Sequence, residues 1–178
     1  MLTTKQLLLQ QTSEAFSGRP DMPLMAALDG ITQEEASWIP DDATPSIEQL
    51  VRHIAWSKSR YCQEGFGVPM IVNDPGVNDD GDCAQLPWVF PCGAAWGGNC
   101  EPGIGGALRL LEQSHRALTT CLENCSDEAL EQPIPNRHGK SAANFFWIML
   151  MHDLYHAGQI RTRRTLCASA SRSMGEMS

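Results

Sequence analysis

Apolar residues recur at three- and four-residue intervals in four long stretches of the chain, and this spacing constrains the fold more than any other feature. The stretches run over residues 7–16, 47–61, 104–124 and 145–165. Such spacing is typical of one buried face of an α-helix, and no stretch shows the alternation expected of a strand. The sequence therefore predicts an all-α protein, organised as a four-helix bundle.

The start of the second helix has two competing signals. Thr44 followed by Pro45 matches an N-cap and a first helical residue, whereas Ser46 and Gln49 match a capping box. The sequence leaves this boundary open by two residues. Ser141 can cap the fourth helix.

A long irregular segment, 66–106, joins the second and third helices. It is rich in Gly, Pro and Asp, yet it contains aromatic residues such as Trp88 and Trp96, which are too many for a disordered linker. We expect it to pack over the bundle, either as cover for the core or as one wall of a pocket. Its length allows helices two and three to run parallel, whereas shorter links join the other neighbours.

The length of 178 residues fits one domain with a substantial core, and two domains would each be of marginal size. We therefore expect a single domain over residues 1–178. The last residues, 169–178, are small and polar with two methionines, and we expect this tail to fray.

The charge excludes one class of partner. The net charge of −8 and the pI of about 5.0 argue against a face that binds nucleic acid. Arg161, Arg163 and Arg164 form a basic cluster, whose simplest role is to complement the C-terminal dipole of the last helix. Alternatively, one of these arginines could reach an anionic substrate.

The chain lacks the features of a membrane or secreted protein. Its longest apolar run, 145–151, is too short to cross a membrane, and its first residues lack the pattern of a signal peptide. We expect a cytoplasmic protein with no membrane partner. Seven cysteines without a C-x-x-C motif predict neither a disulfide framework nor a zinc ribbon. Cys121 and Cys125 share a helix face and are most simply small buried hydrophobic residues.

His152 and His156 lie four residues apart, so a helix places both on one face, one turn apart. This spacing is typical of metal chelation, but two hydrogen-bonded core histidines give the same pattern. A zincin motif requires Glu directly after the first histidine, and Asp153 stands there instead, which weakens a metalloprotease interpretation. A catalytic zinc-type site needs three protein ligands, so a third must come from elsewhere.

His53 is the best-placed candidate for the third ligand. It lies about 100° from the middle of the apolar stripe of the second helix, at the edge of the core. Taken alone, it would be a half-exposed surface residue. His115 and His138 are in weaker settings, because His115 lies in a helix with better apolar positions and His138 lies in a loop.

Two motifs together carry a resemblance to a known family. The second helix reads S-I-x-x-L-V-x-H-I from Ser46, and the fourth reads H-D-x-Y-H-A-G-Q-I from His152. In these motifs, and over about residues 2–167, the chain resembles the DinB superfamily.

The resemblance implies a bundle of up-down-down-up order, often dimeric, in which His53, His152 and His156 hold a divalent metal, zinc or nickel. The family includes S-transferases and isomerases that use a low-molecular-weight thiol, and its name implies no DNA chemistry.

Simple chemistry agrees with such a site. Three neutral imidazoles would leave the charge of a divalent ion uncompensated, so a water or a thiol beside it would be acidified. Asp153 and Gln159 are candidates to orient an imidazole, although Asp153 could equally be solvated, because it lies about 100° round the helix from His152.

We therefore expect a metal-dependent enzyme that activates a thiol, for transfer or isomerisation, or water, on a small-molecule substrate. A metal-dependent hydrolase, or a non-catalytic stress or binding module with a structural metal, is the alternative.

Overall fold

The structure, a computed structural model, describes residues 2–18, 22–41, 44–71, 101–134 and 139–175. Most of these residues are helical, and they contain no strand, only an isolated bridge between Pro133 and Ser141. The prediction of an all-α protein is confirmed. Most of the segment expected to cover the bundle, 72–100, lies outside the described residues, as does His138.

The described residues form seven α-helices, of which four are those predicted from the apolar stripes. The helices are α1 (Thr4–Ser13), α2 (Leu24–Leu28), α3 (Gln33–Ser37), α4 (Ile47–Phe66), α5 (Gly103–Asn124), α6 (Asp127–Glu131) and α7 (Ala142–Gly175). A π-helical turn, Glu14–Gly18, continues α1. The predicted helices are α1, α4, α5 and α7, whereas α2, α3 and α6 are single short helices in the links between them.

The start of α4 is decided by local hydrogen bonds. Ser46 Oγ accepts from the backbone N–H of Gln49, and Gln49 Oε1 accepts from the backbone N–H of Ser46. Thr44 Oγ1 instead donates to Asp41 Oδ1 at 2.6 Å, which engages this hydroxyl before the helix begins. Of the two start signals in the sequence, the chain therefore uses Ser46.

Helix α7 begins where the sequence predicts, and it is longer than its apolar stripe indicates. Ser141 Oγ accepts from the backbone N–H of Asn144 and so caps its first turn. The helix continues to Gly175, past Ser169, where the sequence predicts the start of a small polar tail. Residues 176–178 lie outside the described residues.

The length of α7 changes the interpretation of the basic cluster. Arg161, Arg163 and Arg164 lie well before the last turn, which carries Arg172, so the predicted role of the three at the C-terminal dipole is wrong. Their guanidinium groups instead donate to backbone carbonyls in the chain that precedes α4. The acceptors are Met22 and Pro23 for Arg161, Pro45 for Arg163, and Ala27 and Asp29 for Arg164.

The buried apolar side chains form two clusters. The first cluster includes Phe16, Ile54, Leu111 and Ile160. The second cluster includes Leu8, Cys62, Leu118 and Met149. Each of the four long helices, α1 with its π-helical turn included, contributes to both clusters and passes from one to the other through buried polar residues. The two histidines of α7 lie at this crossing.

Two further features are the lack of a membrane-spanning helix among the described residues and the state of the cysteines. No helix in the described part of the chain has the length and apolar composition needed to cross a membrane. The cysteines that the structure describes are free thiols, and Cys121 is buried as predicted, whereas Cys125 is half-buried.

Candidate metal centre

Three histidines from two helices meet between the two apolar clusters. His53 lies in α4, and His152 and His156 lie one turn apart in α7. The Nε2 atom of His152 is 3.2 Å from Nε2 of His53 and 3.1 Å from Nε2 of His156. One ring nitrogen from each residue lies within 4.8 Å of the other two. The three residues that the sequence singles out are therefore brought together.

The spacing of these nitrogens fits metal coordination better than mutual hydrogen bonding. An imidazole nitrogen carries either one proton or one lone pair, so Nε2 of His152 can form one good hydrogen bond. It lies close to two nitrogens, however, Nε2 of His53 and Nε2 of His156. With Zn–N distances of about 2.0–2.1 Å, the nitrogens of a tetrahedral site are about 3.3 Å apart. The observed separations of 3.1 and 3.2 Å are close to that value. These side chains could therefore hold a metal ion.

Burial keeps the three imidazoles neutral. It is the main cause that lowers the pKa of His53 to about 4 and the pKa of His152 to about 2, and the repulsion that a protonated His156 would exert adds to both effects. Burial also lowers the pKa of His156, against a hydrogen bond with Gln159 that raises it. A neutral imidazole presents a lone pair to a metal ion, so the site is in its ligand form at neutral pH.

Gln159 sets the tautomer of His156. Its Oε1 atom lies 2.7 Å from Nδ1 of His156, and its Nε2 atom donates to the hydroxyl of Tyr155 at 3.0 Å. Because an amide oxygen can only accept, Nδ1 of His156 carries the proton and Nε2 is left with the lone pair. Gln159 therefore makes the contact that an orienting residue requires.

Asp153 has neither of the two roles that the sequence leaves open for it, orientation of an imidazole and solvation. Its side chain is only 1% exposed, so the solvated alternative is wrong. Its Oδ2 atom accepts from Lys58 Nζ at 2.5 Å, and its Oδ1 atom has no hydrogen-bond partner among the described residues. Burial raises the pKa of Asp153, and the ammonium of Lys58 opposes that effect. The carboxylate thus faces a lysine, and no described imidazole is its hydrogen-bond partner.

His115 is half-buried and lies outside the histidine site, which agrees with its weaker setting in the sequence. Its ring stacks on the ring of Phe16, and it is not among the three histidines whose nitrogens converge.

Lys58 is the residue near the site that the sequence interpretation missed. Its side chain is fully buried. It lies four residues after Ile54 and seven after Val51, within the apolar stripe of α4. A charged side chain on such a stripe requires a buried partner, and this position was the signal that could have identified it.

Comparison with known proteins completes the description of the site. No curated protein and no solved structure has significant similarity to the chain. The sequence model of the DinB superfamily matches residues 22–160. The matched region contains His53, His152 and His156, and it makes up well over half of the 178 residues. The chain therefore belongs to the DinB superfamily.

Proposed function

We propose that this protein binds a divalent metal, zinc or nickel, through His53, His152 and His156, and that it is an enzyme acting on a small molecule. The observation that carries the proposal is the convergence of three imidazole nitrogens, in a group that contains no fourth ligand among the described residues. Three protein ligands and an open position are typical of a catalytic site, whereas a structural site has four ligands. Imidazole ligands suit both zinc and nickel.

Each side chain at the site has a distinct task in this proposal. The three histidines hold the ion through ring nitrogens, and Gln159 keeps His156 in the tautomer that leaves Nε2 free. A divalent ion bound here would supply Lewis acidity, which lowers the pKa of a thiol or a water molecule beside it. The histidines are neutral and cancel none of the positive charge on which that effect depends.

The leading reaction is activation of a low-molecular-weight thiol, as cosubstrate, for transfer to a small electrophile or for its isomerisation. Membership of the DinB superfamily and its thiol-dependent enzymes support this reaction. Activation of water in a hydrolase is the second candidate, and a three-histidine site supports it on the same chemical grounds. A non-catalytic module with a structural metal is the third, and it requires a fourth ligand from residues outside those described.

A cavity of about 610 Å³ next to Gln159 is the proposed place for the substrate. Tyr155, Gln159 and Arg163 of α7 are among its lining residues. Its volume falls in the range of small-molecule sites, about 300–1,000 Å³. Gln159 lines the cavity and also bonds His156, so this side chain links the cavity to the histidines, which are not among its lining residues. Arg163, whose guanidinium also donates to the Pro45 carbonyl, is the arginine that we propose would meet an anionic group of the substrate.

We further propose the up-down-down-up order for α1, α4, α5 and α7. Along α1 with its π-helical turn, and along α7, the chain passes from the second apolar cluster to the first. Along α4 and α5 it passes from the first cluster to the second. Helices that meet two clusters in opposite order run in opposite directions, which supports α1 and α7 running against α4 and α5.

A homodimer through the exposed face of α7 is also proposed. Trp147, Met151 and Tyr155 are spaced four residues apart, and they are 45%, 47% and 60% exposed. A row of large apolar side chains on one exposed face is typical of an interface. The cytoplasmic location that the sequence indicates stays a prediction.

The test of the metal proposal is the metal content of protein purified without an affinity tag, measured by elemental analysis. We expect about one equivalent of zinc or nickel in the wild type and none in His53→Ala or His156→Ala. His115→Phe is the matched control, since it removes a half-buried histidine outside the site, and we expect it to keep its metal. A wild-type protein that is metal-free and takes up neither ion on incubation would contradict the proposal.

A second measurement separates a catalytic from a structural metal. If the metal is catalytic, His53→Ala loses turnover of thiol and electrophile pairs while its circular dichroism remains that of a folded helical protein. If the metal is structural, the same variant largely unfolds, because binding free energy of a structural metal is folding free energy.

A further inference from the structure

A buried polar layer crosses the protein between the two apolar clusters. Each long helix contributes to it at its crossing from one cluster to the other. The layer consists of Thr12 in α1, Lys58 in α4, Ser114 in α5 and Asp153 in α7, all with side chains at most 2% exposed. We refer to these four residues as the mid-bundle layer.

Within this layer, the ion pair of Lys58 and Asp153 joins the two helices that carry the histidines. Lys58 lies five residues after His53 on α4, and Asp153 directly follows His152 on α7. The pair has a separation of 2.5 Å, with both side chains 1% exposed. Lys58 Nζ also lies 5.6 Å from the centre of the Phe16 ring, so an aromatic ring packs near the ammonium.

We propose that the Lys58–Asp153 pair is a positioning pair, which fixes the sliding and rotation of α7 against α4 so that His53 meets His152 and His156. This inference rests on the proposed metal site. A slip of α7 by one turn would move its histidines by about 5.4 Å, whereas metal–ligand distances tolerate about 0.2 Å. Apolar contacts are not directional, so they tolerate small shifts of one helix along another. A buried ammonium instead requires its carboxylate partner at one position.

The energetics of the pair favour positioning over stabilisation. Burying two charges costs so much hydration that well-packed apolar residues of similar size are often equally or more stable. One carboxylate oxygen, Oδ1 of Asp153, also has no hydrogen-bond partner among the described residues, which adds to the cost. By this argument the pair contributes little net stability, yet it lies beside proposed metal ligands on both helices. Its role is therefore best explained by the relative position of α4 and α7 that it enforces.

The test compares metal affinity with the stability of the metal-free protein. The variants are Lys58→Met with Asp153→Leu as a double substitution, and Ser114→Ala as the matched control. Ser114 belongs to the same layer, but its hydroxyl donates to Leu111 O within α5 and joins no second helix. Zinc affinity is measured by competition with a chelator, and stability by thermal unfolding after metal removal.

We expect the double variant to unfold at or above the wild-type temperature without metal, and to bind zinc about 10–100-fold more weakly. Ser114→Ala should bind zinc as the wild type does. A double variant that binds zinc within about threefold of the wild type would overturn the inference and leave the metal site standing. A wild type that binds neither zinc nor nickel would overturn both.

Asp153→Asn provides a second measurement in case the double variant does not fold. Asparagine keeps an oxygen that can accept from Lys58 but lacks the charge that fixes the position of the ammonium, so positioning predicts a zinc affinity below that of the wild type. The absorption spectrum of bound Co²⁺, which reports the number and geometry of the ligands, should also differ from that of the wild type. Equal affinities and spectra in Asp153→Asn and the wild type would overturn the inference.

Discussion

The imidazole of His115 lies flat on the ring of Phe16, with ring centroids 3.6 Å apart and ring planes 5° apart. The two residues come from α5 and from the π-helical turn after α1. Burial lowers the pKa of His115 to about 3, and the nearby charge of Lys58 adds to this effect. The stack therefore holds a histidine that stays neutral in the folded protein well into the acid range.

This stack predicts an acid-dependent loss of stability. The unfolded chain binds the proton near the ordinary pKa of 6.5, whereas the folded protein binds it only near 3. The contribution of His115 is thus complete above about pH 6.5 and is lost as the pH falls from there towards the folded pKa. His115→Phe keeps an aromatic ring against Phe16 and removes the titration.

The measurement is the free energy of unfolding in urea, at about pH 7 and about pH 5, on metal-free protein. We expect His115→Phe to lose less stability over this range than the wild type. Both proteins retain the three converging histidines, so their difference isolates His115. Equal losses in the two proteins would show that His115 does not cause the acid sensitivity.

The contact between Gln159 and His156 predicts a loss of metal affinity on substitution. Gln159→Ala frees the imidazole to rotate and to change tautomer, and we expect zinc to bind about tenfold more weakly or worse. Gln63→Ala removes an exposed glutamine of α4 and should have no effect on affinity. Chelator competition on the three proteins checks both statements, and equal affinities would exclude an orienting role for Gln159.

The capping box of α4 predicts a measurable cost of removing one hydroxyl. Ser46→Ala loses the acceptor for the backbone N–H of Gln49, which should cost about 1 kcal/mol, or a decrease of about 2–4 °C in Tm. Thr44→Ala loses only a bond to Asp41 before the helix and should cost less. Thermal unfolding distinguishes the two, and a larger effect at Thr44 would contradict this assignment of the helix start.

The exposed row on α7 predicts a change of oligomeric state. If it forms the homodimer interface, the double substitution Trp147→Ser and Met151→Ser should convert a dimer to a monomer in light scattering after size-exclusion chromatography. Leu2→Ser, at an exposed apolar residue outside α7, is the control and should leave the dimer unchanged. A wild type that is monomeric at all concentrations would contradict the proposed dimer.

A feature could be predicted from the sequence when the residues that determine it lie close together along the chain. The capping box at Ser46 depends on residues three apart, so it appears among the sequence signals. His152 and His156 are likewise four apart. The partnership of Lys58 with Asp153 spans 95 positions, and the helix period alone cannot show which buried lysine meets which carboxylate. The sequence therefore leaves Asp153 open between orienting an imidazole and solvation, and its partnership with Lys58 is neither.

The end of α7 shows a second reason why a prediction from the sequence can fail. The apolar stripe marks only the part of a helix that faces the core, and α7 continues to Gly175 beyond that part. The arginines before this end were consequently predicted to meet the helix dipole. Their acceptors are carbonyls in the links around α2 and α3, together with the carboxylate of Glu35 for Arg164, and the positions of these groups depend on how the whole chain folds back on α7.

Those arginine contacts couple two parts of the molecule. The described residues of the stretch 22–46 contain only two helices, each of five residues, and Arg161, Arg163 and Arg164 of α7 donate to carbonyls of this stretch. The same helix carries His152 and His156. If metal binding at the histidines orders this stretch through α7, linkage requires that ordering the stretch strengthens metal binding by the same free energy.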